Sequence, residues 1–473
     1  MRLSKDRRFR RPGFAFLGFL ILLGAVTLMA FAQTPAPSGT FRFALAGDSI
    51  IERRISVYDD PGFLEMINRI RNADVAFTNF EMLIHNFEAP GAAMSGGTYM
   101  QAYPFVLDEL KWAGFDIFGL ANNHAYDFGA DGLLSTIRHF DEAGLTHAGT
   151  GENLARARAA GYFDTKKGRV ALVSCASTFT AISPAGEQRA DLKGRPGLSP
   201  LHVKTVYTVD SATFNGLRQL SGRGGGAAGG RGAQQQEMTF LGSTFRVGDK
   251  PGVSTSPDPK DMEAIAAAVK DARRMSDWVV VSIHAHESAP GNVEIPAEFL
   301  VTFAHAMIDA GADVFVGHGP HVLRAVEIYK GKPIFYSVGN FFMQDDLVPF
   351  QPQENYNTYG LALDATVNDF YDQRDGTTYS NGQEKNTKSF PANKEYWESM
   401  IAEPVFNSKR ELQEINLYPL DLGYGLTRSQ RGFPFPANAE LGASIMERVA
   451  KLSKAMGTVI TYQNGKGVIK IGS

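Results

Sequence analysis

Residues 315–342 read FVGHGPHVLRAVEIYKGKPIFYSVGNFF: an apolar run, a Gly/Pro-rich turn, then further apolar runs. A turn has use for Gly317, Gly319 and Pro320, but it has no conformational need for His318 and His321. Imidazoles three residues apart on a turn can converge on one point, and a metal ion is the usual occupant of such a point. Past the turn, AVEIYKGKPIFYSVGNF predicts a hairpin around Lys330-Gly331-Lys332. The stretch thus predicts a buried strand that ends in ligands, and partners for those ligands should lie at other strand ends.

Short apolar runs ending in polar or glycine-rich sequence recur upstream: TFRFALAGD, ADVAFTNFE, GFDIFGLANN, RVALVSCAS and DWVVVSIHAH. Each has the pattern of a buried strand. Helical patterns alternate with them at residues 128–144 and 296–310 and in SPDPKDMEAIAAAVKDARRM, where Asp258 can cap and Pro259 takes the first helical position. Later, YGLALDATV and RELQEINLYPLDL predict antiparallel strands, and residues 438–456 a last helix. The glycine-rich stretch 221–236 predicts a flexible insertion, and the polar region 368–400 a long surface excursion. A layered α/β sandwich accommodates this order of elements.

Ligands in α/β folds gather beyond the carboxyl ends of strands. The polar residues there are Asp48, Asn79, Glu81, Asn122, Asn123, His124, His284, His286, His318 and His321. Any one of them alone fits a cap, a turn or a satisfied core polar group; placed at successive strand ends they form a set. Carboxylate, carboxamide and imidazole donors suit Mn²⁺, Fe²⁺ or Zn²⁺. Six or seven such ligands exceed the needs of one four-coordinate ion, so the set predicts two divalent ions sharing a carboxylate. The remaining histidines, His85, His139, His147, His202 and His305, read as surface or packing residues.

The chain has 473 residues and a net charge of −3, so nothing globally basic suggests nucleic acid. Its single cysteine, Cys175, lies in an apolar run and rules out an internal disulfide. Residues 1–32 open with basic residues, continue apolar from Phe14 to Phe31 and end at Ala30-Phe31-Ala32. This predicts a cleaved export leader, with an uncleaved membrane anchor as the alternative. A linker at 33–39 follows, and the folded domain runs from 40 to 465. The protein is expected to be exported, to the periplasm or the cell exterior. Without the leader the chain carries 41 basic and 49 acidic residues, a net charge of −8.

The pieces AGDSIIERRI, ADVAFTNFE, GLANNHAYDFGADGLLSTIRHFDEAGLTHAGTG, VVVSIHAHE and GADVFVGHGPHVLRAVEIYKGKPIFYSVGNFF resemble, in this order, the CapA family of poly-γ-glutamate capsule synthesis. The resemblance implies a calcineurin-like metallophosphatase fold, a four-layer α-β-β-α sandwich with mixed sheets. It implies Asp48 as ligand of a first ion, Glu81 as the bridge, Asn123, His284 and His318 at a second ion, and His321 returning to the first. His124 resembles the histidine that contacts the scissile group. Two features depart from the superfold: Asp48 is followed by Ser49 and Ile50 where Asp-x-His is usual, and the Gly-His-Gly-Pro-His turn is one residue longer. His286 stands where many relatives have glycine, as an added ligand or as a partner of one.

On this basis the metals would activate a water, His124 would protonate the leaving group, and Arg53 or Arg54 would steady an anionic substrate. The expected function is hydrolysis of a phosphoester or an amide, on a phosphorylated small substrate or an extracellular anionic polymer. The alternative is a non-catalytic, metal-stabilised component of a capsule export complex, with other membrane proteins of capsule synthesis as partners.

Overall fold

Phe41–Ile50 is a strand with Phe41, Phe43 and Leu45 on one face and Ala44 and Ala46 on the other. That alternation puts it between two cores, because successive side chains of a strand point to opposite faces. It lies mid-sheet, parallel to Val75–Phe80 and antiparallel to Glu398–Phe406. Beyond Val75–Phe80 come Ile117–Gly119 and Thr146–Ala148, and beyond Glu398–Phe406 come Leu412–Asp421, Lys466–Lys470 and Thr461–Gln463. Asn340–Met343 pairs with the end of the central strand.

A second sheet of six strands runs Val326–Tyr329, Lys332–Phe335, Val314–His318, Trp278–His284, Gly168–Ala176, Gly161–Thr165. Its interior pairs are parallel and its edge pairs antiparallel. Between the sheets Phe41, Phe43, Leu45 and Phe77 pack against Val170, Leu172, Trp278, Val280 and Val316, with the Phe41 ring stacked 4.6 Å from Trp278. On the outer face of the first sheet, helices Pro61–Arg71 and Phe105–Ala113 bury Phe63, Met66, Ile67, Val106 and Leu110. Helices Pro259–Met275 and Glu298–Ala310 cover the outer face of the second with Ile265, Val269, Phe299, Phe303 and Met307. The result is a four-layer α-β-β-α sandwich with mixed sheets, and helix Ala439–Lys454 adds Ile445, Met446 and Val449 to the inner core.

The computed structural model describes residues 39–222, 236–380 and 383–471, which belong to one compact unit. The expected leader at 1–32, nearly all of the linker and most of the glycine-rich stretch 221–236 lie outside the described residues. Among the described residues no helix is long and apolar enough to cross a membrane.

Local signals account for several elements. Asp258 caps its helix by accepting from the Lys260 and Asp261 amides, with Pro259 in the first turn. The hairpin Val326–Phe335 turns at Lys330 and Gly331, both at positive φ (51° and 75°). Three regions differ from expectation. YGLALDATV is no strand: it joins the helix Gln353–Thr358 to the helix Val367–Asp375. Thr366 and Asp369 form a reciprocal capping box there, a signal that overrides an alternating pattern with no strand to pair with. Residues 368–400 are a surface excursion only in part: Thr378–Ser380 are exposed, whereas Phe370, Tyr371 and Trp397 are each 1 % exposed. Finally, residues 203–257 carry a small four-stranded sheet, in the order Glu237–Phe240, Ser243–Val247, Val203–Val209, Gly252–Pro257, which the sequence pattern did not reveal.

Candidate metal centre

The strand ends converge. Asp48 is opposite Asn79 on one side and Asn340 on the other, because its strand pairs in parallel with both neighbours. Close approach of the chain at this point requires Gly47: a Cβ there would stand 1.8 Å from the Gly339 carbonyl oxygen. Asp48 is fully buried; Asn79 Nδ2 donates to one of its oxygens (2.7 Å) and the Gly319 amide to the other (3.0 Å). His284 and His318 are register partners on adjacent parallel strands, so their rings project to the same side. Their Nδ1 atoms are 3.1 Å apart, and Ser282 Oγ holds His318 Nε2 at 2.8 Å.

His321 enters from the turn. Gly319 (φ 113°) and His321 itself (φ 59°) take left-handed conformations, and Asn340 Oδ1 fixes the ring through Nδ1 at 2.8 Å. A side chain at 319 would meet the Ala285 amide at 2.9 Å and His284 Nε2 at 3.2 Å, which gives this glycine a steric reason. Glu81, just past its strand, is 3.4 Å from His284 Nε2 and 3.8 Å from His321 Nε2, and no protein donor reaches either of its buried oxygens. His286 completes the group, with Nε2 2.9 Å from His284 Nε2.

Three sets of ligand atoms each lie within 4.8 Å of one another: Asp48, His284 and His318; Glu81, His284 and His286; Asp48, Glu81 and His321. Asn123 lines the cleft above them, its Nδ2 donating to the Gly96 carbonyl (3.3 Å) while its Oδ1 is buried without a partner. Its neighbour Asn122 is a scaffold residue, bonded to the Phe80 carbonyl and the His124 amide.

Electrostatics match that geometry. Burial would raise the Asp48 carboxyl, but the hydrogen bond and charge of His318, with His321 and Asn79, hold it below its ordinary value. Burial, together with the negative charges of Asp48 and Asp127, pushes the Glu81 carboxyl well up. Burial and neighbouring histidines push His284 well down, and burial with His321 brings His286 to about 3. His284 and His286, which burial keeps uncharged, lie nitrogen to nitrogen with each other and, for His284, with His318, beside a Glu81 carboxyl that no protein donor reaches, and such groups are in want of a cation. The donor set of carboxylates and imidazoles suits a hard-to-borderline divalent ion.

His124 borders the same cleft. Its Nδ1 is 2.7 Å from Asp127 Oδ2, and Asp127 is itself wholly buried and accepts from the Gly96 and Met100 amides. Arg53 is not brought to the cluster. The Glu52 and Arg53 amides are both tied to Gln344 Oε1, and the Arg53 guanidinium lies over the Phe433 ring (4.3 Å) and donates to the Ser429 carbonyl. Arg54 instead pairs with Glu109 at 3.3 Å. Arg374 is the arginine that lines the cleft. Sequence reasoning missed Asp127, Asp345 and Arg374 and left His286 open. The first was within reach of inspection, because Asp127 follows His124 by three residues.

The sequence profile of the family described as bacterial capsule synthesis protein PGA_cap matches residues 42–345. The chain belongs to this family. Among relatives of this PGA_cap protein, the uncharacterized protein y4sH of Sinorhizobium fredii is 37 % identical over 448 residues, covering 91 % of this chain and 93 % of its own. The capsule biosynthesis protein CapA of Bacillus anthracis is 26 % identical over 340 residues, covering 68 % and 65 %. A crystal structure of a hypothetical protein from Thermus thermophilus aligns with 12 % identity and a TM-score of 0.38, covering 80 % of this chain and 99 % of that one. The match to the PGA_cap profile includes every residue of the cluster and stops at Asp345; the wall from residue 353 onward lies beyond it.

Proposed function

We propose that this chain is an exported, metal-dependent hydrolase of capsule synthesis that cleaves a phosphoester or amide bond of an extracellular anionic polymer. The observation that carries catalysis is the His124–Asp127 pair in the cleft beside the cluster. A metal that only fastened the fold would need no oriented imidazole next to it. Asp48, His284 and His318 would hold one divalent ion, and Glu81, with His284 and His286 or with Asp48 and His321, a second, with manganese, iron or zinc suited to the donors. Such ions supply Lewis-acid polarisation of the attacked group and a water whose pKa is lowered toward ~7.

The chain's own residues do the rest. Asp127, already accepting two backbone amides, keeps the proton of His124 on Nδ1 and leaves Nε2 to pass a proton at the leaving group. Asn123 adds an unpartnered acceptor to the cleft. Asn79, Ser282 and Asn340 orient Asp48, His318 and His321, the outer contacts on which ligand geometry depends. Membership of a capsule synthesis family supports the polymer as the setting.

One observation favours a non-catalytic, metal-stabilised part in an export assembly. Ile50 stands where the superfold has a second ligand, and Ser49 is taken up by Thr78 Oγ1 at 2.7 Å, so the first motif offers Asp48 alone. Metal content of the purified chain, followed by assays with the loaded protein, separates the two. Hydrolysis predicts close to stoichiometric metal together with phosphate release from a generic ester or shortening of polyglutamate. Stoichiometric metal with neither activity would leave the assembly role.

A further inference from the structure

His286 reaches the cluster from a segment that no sheet holds. The strand Trp278–His284 ends two residues earlier, and residues 285–287 belong to no strand. The His286 amide donates to Thr178 Oγ1 at 2.8 Å, which leaves the carbonyl side of the segment to another partner. That partner is Arg324. Its Nη2 donates to the His286 carbonyl (3.1 Å), its Nη1 to the Ala285 carbonyl (3.4 Å), and its Nε to the Val293 carbonyl (2.9 Å) in the strand Asn292–Pro296. Arg324 follows His321 by three residues, so the turn that supplies two candidate ligands also carries the side chain that braces a third. The Arg324 side chain is wholly buried, and every hydrogen bond it makes goes to a main-chain oxygen. Glu287, whose charge acts on it, itself accepts from the Ser177 (2.8 Å) and Thr178 (2.9 Å) hydroxyls. A guanidinium taken out of water with no carboxylate hydrogen-bonded to it is costly, and an apolar side chain of similar length would fill the same space at lower cost. What that side chain could not do is aim donors at three carbonyls.

We propose that Arg324 is the positioning residue of His286, and that it decides whether the centre holds a second ion through Glu81, His284 and His286. This rests on the metal-dependent hydrolase proposed above and adds to it the residue that governs metal number. The ligand atoms of that set lie within 4.8 Å of one another, with His284 Nε2 and His286 Nε2 2.9 Å apart. His284 is fixed by its strand and Glu81 stands one residue past the strand Val75–Phe80, so His286 is the member of the set that depends on a loop. Without a brace that loop would have to be ordered by the ion itself, at a cost in affinity. Contacts of this outer kind are worth about 10- to 100-fold in metal binding. The set Asp48, His284 and His318 contains no such loop residue, so loss of Arg324 should spare it.

The test titrates manganese into the full chain. Equilibrium dialysis reads the ions bound per chain, and electron paramagnetic resonance distinguishes a pair of neighbouring Mn²⁺ ions, which couple, from a lone one. Wild type should bind two ions with a coupled spectrum. Arg324→Met fills the space but donates nothing; it should keep the first ion, bind the second about tenfold or more weaker, and show the spectrum of a lone ion. His286→Ala should give the same result, and the double variant should be no weaker than His286→Ala alone, because the arginine acts through that histidine. Should Arg324→Met fail to fold, Arg324→Lys keeps the charge and part of the donor set, and should bind the second ion more weakly than wild type but more tightly than His286→Ala. The proposal is overturned by an Arg324 variant that binds the second ion as wild type does, that loses both ions together, or that adds its loss to that of His286→Ala. A wild type that binds a single ion overturns it as well. A wild-type chain that takes up none of manganese, iron or zinc overturns the hydrolase reading along with it, whereas two ions held regardless of Arg324 overturn this proposal alone.

Discussion

The cluster and the wall above it are built on opposite plans. The cluster hangs from strands such as Val75–Phe80, Trp278–His284 and Val314–His318, in which every residue is buried, and register alone brings His284 beside His318. The wall rests on the helices Gln353–Thr358 and Val367–Asp375 and the turns that follow. Paired charges fasten it: Arg374 to Asp345 and Asp375, Arg428 to Asp346 and Asp372, Arg431 to Asp346 and Glu384. Apolar burial stabilises in proportion to area and is indifferent to direction, whereas buried ion pairs contribute little net stability but fail badly when one partner is lost. The candidate ligands thus sit on the robust half of the cleft, and the cleft's shape is set by the half sensitive to single charges.

The contrast can be broken at either end. The largest effect should come from His318→Ala, which removes an imidazole from the centre of the cluster. Elemental analysis should find metal near background, and activity should vanish with it. His124→Ala should divide the two properties: near-normal metal content, with activity lower by ~10²-fold, the usual scale for a general acid–base group. Wild-type activity in that variant would end the catalytic role given to His124.

On the wall, Arg431→Ala removes the nearest cation of both Asp346 and Glu384, leaving Asp346 only the longer 3.6 Å pair with Arg428, and should cost about 3 kcal/mol in chemical denaturation, at unchanged metal content. A loss of metal there would show that wall and cluster are coupled. The smallest effect concerns acid. Burial holds the His85 imidazole down at about 4 against an ordinary 6.5. The unfolded chain therefore takes up that proton first, and stability falls as pH drops from 6.5 toward 4, by up to about 3 kcal/mol at 1.36 kcal/mol per unit. Denaturation of wild type and His85→Phe at several pH values should show that part of the slope only in the wild type.

The sandwich and the cluster were legible because one physical pattern writes both. An apolar run ending in a polar residue is a buried strand and a candidate ligand at once, so Asp48, Glu81, His284 and His318 could be picked out together. The wall had no such pattern. Arg374 and Asp375 are charged residues in polar sequence, and charge in polar sequence reads as solvent-facing until a partner distant along the chain, here Asp345, is known. Arg53 was misplaced for the converse reason. It directly follows the first motif, but hydrogen bonds from the Glu52 and Arg53 amides to Gln344 Oε1, nearly 300 residues away in sequence, fix its course. YGLALDATV failed locally, because the Thr366–Asp369 capping box outweighed an apparent alternation.

The central strand Phe41–Ile50, which carries Asp48, has consequences for the order of events during synthesis. Its neighbours are Val75–Phe80, made soon after it, and Glu398–Phe406 and Asn340–Met343, made hundreds of residues later. Contacts so remote in sequence are slow to close. A nascent chain lacking its last third has a half-paired Asp48 strand and neither Asn340 nor the segment that roofs the cleft. Metal capture at such a site would thereby be deferred until the last third of the chain has emerged, and a loaded site would report a chain that has finished folding.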